Sequence, residues 1–111
     1  MASNVFFVPA TSTHRVLDQL FAKYPTELGK IGKYEQCAFI TRGTGQFMPG
    51  PEARPAIGDL GKLEFVEEDR VEVVVNDQGG ANFQLKGILK ELKEVHPYEE
   101  VAYDVYTLAP F

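Results

Sequence analysis

The sequence predicts a split βαβ domain of the α+β class: a two-layer sandwich whose antiparallel sheet carries two helices on one face. Three observations carry that prediction. Two segments repeat apolar residues at helical spacing, and further segments are rich in β-branched and aromatic residues with extended character. The elements also fall in the order strand, helix, strand, strand, helix, strand (βαββαβ). With 111 residues, the chain has room for one domain, residues 1–111, and one core.

Each element has its own local reason. Asn4 to Val8 reads as a short strand, and its continuous run Val5-Phe6-Phe7-Val8 suits a central position. Pro9 lacks a ladder donor and ends it. Thr11-Ser12-Thr13 offers N-cap candidates, after which Val16, Leu17, Leu20, Phe21 and Tyr24 outline one helix face. Pro25 closes that helix, and Gly29 and Gly32 mark a loop.

A second strand is expected from about Tyr34 to Thr41, continuing into Arg42-Gly43-Thr44-Gly45-Gln46-Phe47. There the glycines point to a bulge or to a close backbone approach. Met48 to Gly61, with three prolines and several glycines, reads as an ordered arm. Lys62 to Asn76 is extended, either one bent strand or a hairpin kinked at Glu67-Glu68-Asp69-Arg70. Gly79-Gly80 breaks the chain, and Asn82 to Val95 reads as a second amphipathic helix with Phe83, Leu85, Ile88, Leu89 and Leu92 on its face. Pro97 biases His96 out of the α region and ends it. Tyr98 to Leu108 forms the closing strand. These elements together describe a ferredoxin-like sandwich.

Composition narrows the function classes. A hydrophobic fraction of 44% and an aromatic fraction of 12% are those of a folded domain rather than a disordered chain. The net charge of -5 comes with no Lys/Arg cluster, which argues against nucleic acid and leaves a cationic ligand or metal compatible. The single cysteine, Cys37, excludes an intrachain disulfide and a thiolate-rich metal site. Its apolar setting, Cys37-Ala38-Phe39-Ile40, reads as core. No apolar run reaches the roughly 20 residues of a membrane span and no leader pattern is visible, so a cytoplasmic location without membrane attachment is expected. The apolar and aromatic alternation of the last strand (Val101, Tyr103 and Val105 against Tyr98, Ala102 and Tyr106) leaves the sheet face opposite the helices partly apolar, which predicts a homo-oligomer.

Two segments are candidates for chemistry. In Gly43-Thr44-Gly45-Gln46-Phe47, followed by Pro55-Ala56-Ile57-Gly58, glycines permit a close backbone approach while Thr44 and Gln46 supply donors. The Lys-Ser/Thr pair of a phosphate loop is absent and no helix follows; a bulged strand feeding an arm is the alternative. In His96-Pro97-Tyr98-Glu99-Glu100, an imidazole sits beside two carboxylates. A regular strand there places His96, Tyr98 and Glu100 on one face and Glu99 on the other. His96 and Glu100 are then candidate ligands for a divalent metal, and a hydrogen-bonded cluster fixing the helix exit is the alternative. His14 is expected to be solvent-exposed, and Glu64, Glu67, Glu68 and Asp69 to line a solvated sheet edge.

The run from Gly43 to Phe47, Ile57-Gly58, Leu60-Gly61-Lys62-Leu63-Glu64, Arg70-Val71-Glu72 and His96-Pro97-Tyr98-Glu99-Glu100-Val101-Ala102-Tyr103-Asp104-Val105-Tyr106 resembles the domain inserted in many bacterial NGG-interacting-factor-three-like proteins, and its free-standing YqfO-type relatives. The opening Val5-Phe6-Phe7-Val8-Pro9 and the turn at Ile31-Gly32-Lys33-Tyr34 fit as well. Lys23 to Lys30 and Gly79-Gly80-Ala81-Asn82 depart from the pattern by being longer. The resemblance implies a PII-like and CutA-like fold and a trimer. It also implies that the family's dinuclear metal centre belongs to a larger α/β domain outside these residues, since His14 and His96 alone cannot build it.

Three functions compete. One is a non-catalytic binding or regulatory module holding a small ligand or divalent metal at residues Gly43, Thr44, Gly45, Gln46, His96, Tyr98, Glu99 and Glu100, between subunits. Another is a structural or protein-binding domain without a ligand. The third is metal-assisted hydrolysis with Glu99 or Glu100 as base, which the chain supports least because no nucleophile or full ligand set is visible.

Overall fold

A computed structural model describes residues 1–77 and 83–111. The Gly79-Gly80 break and the Asn82 start of the second helix lie outside them. The order of elements is β1 (Ala2–Pro9), α1 (Thr13–Lys23), β2 (Phe39–Phe47), β3 (Glu64–Val75), α2 (Phe83–Val95) and β4 (Tyr103–Thr107). The four strands form one sheet in the order β2-β3-β1-β4, with every neighbouring pair antiparallel. This is the ferredoxin-like arrangement expected, with β1 central.

One side chain in two along β1 faces the helices, and Ala2, Phe6 and Val8 there meet Val71, Val73 and Val75 of β3. Val16, Leu17, Leu20 and Phe21 of α1 and Leu85, Ile88 and Leu92 of α2 close the core over them. Each such fully buried large side chain contributes about 1.5–3 kcal/mol relative to exposure. The helices are tied to each other by Lys23 to Glu91 at 2.9 Å and by Arg15 Nη1 donating to the Val95 carbonyl at 3.2 Å. Asn4 lies fully buried on the same face of β1, and neither polar atom of its side chain has a hydrogen-bond partner among the described residues.

Several local expectations are revised. Tyr34 to Ala38 is loop, not strand: Ile31 and Tyr34 bridge each other and Cys37 N–H donates to the Gly29 carbonyl, so β2 begins at Phe39. Cys37 is half-buried and stands apart from the core, while Phe39 and Ile40 are exposed. The glycines of β2 cause no bulge; the register with β3 runs one to one through Gly43↔Glu68 and Gly45↔Val66. Lys62 to Asn76 resolves into a single strand, because β2 pairs along its first half and β1 along its second. The acidic group therefore lies on an inner strand rather than at an edge, and Asp69 is 3% exposed.

No side-chain bond caps α1. Ser12 occupies the N-cap without one, and Thr13 Oγ1 instead donates to Asp69 Oδ2 at 2.6 Å. Arg42 Nε donates to Asp69 Oδ1 at 2.6 Å and Nη1 pairs with Glu67. Burial alone would raise the Asp69 carboxyl, but the bonds from Arg42 and Thr13 outweigh it and hold it below its ordinary value. The helix start is thus fastened to the middle of β3, where the two halves of the sheet meet.

Candidate functional site

Beyond Asp69, β2 and β3 run on toward an arm at residues 48–61. The arm folds back to meet the segment between α2 and β4, and the two enclose a cavity of about 310 Å3. That volume is at the lower end of small-molecule sites. Phe47, Met48, Pro49, Pro55 and Ile57 form its apolar wall, and Phe7 and Ala102 lie at its base. Gly58, at φ 89°, takes a left-handed turn against the Glu64 side chain, which a residue with a Cβ would adopt only under strain. Arg54 N–H donates to Glu99 Oε1 at 2.6 Å and fastens the arm to the other wall.

On the polar side of the cavity, Tyr98 and Glu68 form a hydrogen-bonded pair. Tyr98 hydroxyl donates to Glu68 Oε2 at 3.0 Å. The Glu68 carboxylate lies against Gly45, where a Cβ would displace it, so the glycine leaves room for this carboxylate position and makes no bulge. The Tyr98 ring meets Phe47 edge to face at 5.7 Å. Burial first, and then the bond to Glu68, push the Tyr98 hydroxyl well above its ordinary pKa. It therefore stays a protonated donor through neutral pH.

His96 sits beneath this wall, 5% exposed. Its Nε2 lies 2.7 Å from the Phe7 carbonyl, and Tyr98 N–H donates to its Nδ1 at 3.0 Å. A carbonyl only accepts, so Nε2 carries the proton and Nδ1 the lone pair. Burial lowers the His96 pKa against the opposing pull of the Phe7 carbonyl and the Glu68 charge. Both ring nitrogens are therefore occupied inside the fold, an arrangement that serves the helix exit. A metal would have to displace one of those bonds.

The strand expected from Tyr98 begins only at Tyr103. Residues 96–100 form a series of bends, so the alternation that separated Glu99 from Glu100 does not hold. Both line the cavity, together with Gln46 and Tyr98. Gly45 shapes it through Glu68, and His96 supports it from below. Gly43 and Thr44 do not line it. Glu68, Phe7 and the first part of the arm, Met48 to Ala53, were not among the expected site residues, whereas Pro55, Ala56 and Ile57 belong to the first candidate segment and do line the cavity. The acidic group and the proline-glycine arm were visible in the sequence, but which carboxylate turns inward depends on the β2–β3 register. Among the described residues no group of three His, Cys, Asp or Glu side chains is placed to hold a metal, and no helix is long and apolar enough to cross a membrane.

No protein-family model matches the chain. The GTP cyclohydrolase 1 type 2 homolog of Halalkalibacterium halodurans is 43% identical over 105 residues, covering 95% of this chain and 26% of that protein. A solved Bacillus cereus protein related to NIF3 superposes with a TM-score of 0.71 at 38% identity, over 98% of this chain and 26% of the other. The periplasmic divalent cation tolerance protein CutA from Archaeoglobus fulgidus superposes with a TM-score of 0.63, covering 100% of this chain and 87% of CutA. At 15% identity that likeness establishes fold alone. The chain spans about a quarter of the length of the curated relatives it matches. It thus resembles, along nearly its whole length, one domain-sized segment of the NIF3-like, GTP cyclohydrolase 1 type 2 homolog proteins, and its fold is CutA-like.

Proposed function

We propose that the chain is a non-catalytic binding or regulatory module that holds a small ligand in the cavity between the arm and residues 96–102. The cavity itself carries this reading. It joins both signature segments at one place, with an apolar wall, and Glu68, Tyr98, Glu99 and Gln46 are the groups that would orient a ligand. His96 and Gly45 act as positioning residues. The module works as a homo-oligomer, with a trimer favoured by the CutA-like fold. Phe39, Phe65, Leu60 and Leu63, all exposed on the β2–β3 half or its arm, supply the apolar surface that neighbouring subunits would cover. A divalent cation is the second candidate ligand, suggested by the divalent cation tolerance protein that shares this fold, and its ligands would have to come from more than one subunit. The cyclohydrolase name belongs to proteins of which this chain matches a quarter.

Isothermal titration of the purified chain with a panel of small amines, nucleotides and divalent ions tests the reading, with sedimentation to count subunits. Saturable binding that is lost in Ala53→Trp, which fills the cavity from the arm, is the expected result. Absence of binding across the panel would leave the structural or partner-binding role, and a monomer in sedimentation would remove the oligomer.

A further inference from the structure

The cavity has a charge character that narrows its ligand. Three carboxylates line it, those of Glu68, Glu99 and Glu100, and no lysine, arginine or histidine does. Two of the three are engaged at one oxygen, by the Tyr98 hydroxyl and the Arg54 backbone N–H. Both of those donors are neutral, so the negative charge stands. Of the neighbouring guanidinium groups, Arg42 pairs with Glu67 and Asp69 and Arg70 with Glu72, while the exposed Arg54, on the arm, is not among the residues that line the cavity. Glu68 is half-buried and has no cationic partner among the described residues. It is drawn in where Gly45 leaves room, beside an apolar wall.

We infer that the cavity takes a small organic cation, an ammonium or amidinium head on an aromatic or aliphatic body, with the head against Glu68 and the body against the apolar wall. A half-buried carboxylate loses hydration, and a charged donor at its free oxygen restores that loss more fully than a neutral one. The aromatic residues Phe47, Tyr98 and Phe7 line the cavity, and aromatic rings also favour a cation. A phosphate or carboxylate ligand would face three like charges with no basic side chain to offset them. This assignment rests on the reading of the cavity as a binding site and goes further by naming the class of ligand.

Three ring compounds of nearly one shape separate the possibilities: benzamidine, benzamide and benzoate, titrated into the full chain and followed by two-dimensional amide NMR. Benzamidine is expected to bind about tenfold or more tighter than either of the others, the range of a charge-assisted hydrogen bond. Its shifts should map to residues 46–57 and 98–102. In Glu68→Gln, which keeps the shape and an acceptor for Tyr98, the benzamidine advantage over benzamide should collapse. Equal or tighter binding of benzamide or benzoate overturns the cationic assignment and leaves the cavity as a site. A Glu68→Gln protein that keeps the full benzamidine preference also overturns it. If none of the three shifts any cavity resonance, the binding-site reading itself fails, and this inference with it.

Discussion

Strand β3 is one element in two environments. From Val71 to Val75 every second side chain is buried, whereas from Glu64 to Glu68 none is. The first of these halves lies under the helices beside β1 and carries the core. The second pairs with β2, leads to the arm and carries the cavity. A single long strand thus lets a rigid body hold a site beyond the reach of its own core, and Asp69, bonded to Thr13 of the body and Arg42 of β2, marks the joint. The halves should respond differently to perturbation: truncation in the body costs stability, and truncation in the arm half costs binding.

The sharpest contrast is between two phenylalanines. Phe6→Ala removes a fully buried ring from the core and is expected to lower unfolding free energy by about 3–5 kcal/mol. Phe65→Ala, on the arm half and 57% exposed, should change the stability of the isolated subunit by no more than about 0.5 kcal/mol. Urea unfolding of both variants checks this, and equal losses would erase the distinction between the halves. At the joint, Thr13→Val leaves one oxygen of the buried Asp69 carboxylate without its donor. A loss of about 1–3 kcal/mol is expected, with the amide resonances of both α1 and β2 shifted. A change confined to α1 would mean the halves are not coupled there.

The most graded effect is that of pH. His96 is held neutral in the fold, with its pKa lowered from 6.5, so the unfolded chain takes up its proton first as pH falls. Stability from this group is complete above about pH 6.5 and is lost as pH drops through the lower folded value. Protonation also turns Nδ1 into a donor facing Tyr98 N–H, which loosens the cavity wall. Asp69, whose folded pKa lies below 3.8, retains its contribution down to about pH 4 and loses it below, so its loss sets in at lower pH than that of His96. Urea midpoints between pH 8 and pH 5 should fall for the natural chain and stay flatter for His96→Gln. Parallel slopes would assign the loss to another group.

Much of this was legible in the residues. The apolar faces of α1 and α2 and the run Val5 to Val8 specify helices and a central strand because burial has a period, and the period is written in the chain. Pro25 and Pro97 stop the helices by local sterics alone. The boundaries of β2 and β4 were harder to read: Tyr34 to Ala38 and Tyr98 to Ala102 have strand-like composition, yet strand is a statement about partners. Asn4 shows the same limit, since nothing local marks it as buried among apolar side chains.

By itself, then, the sequence determined the layer architecture, where the two helices end and the two segments from which a site is built, because propensity, punctuation and periodicity act within a few residues. Tertiary structure alone decided that Gly45 makes room for Glu68, that Glu68 leaves the acidic group to face Tyr98, and that Glu99 and Glu100 share one cavity. Those choices depend on the register of β2 against β3 and on the fold-back of the arm, which bring together residues tens of positions apart.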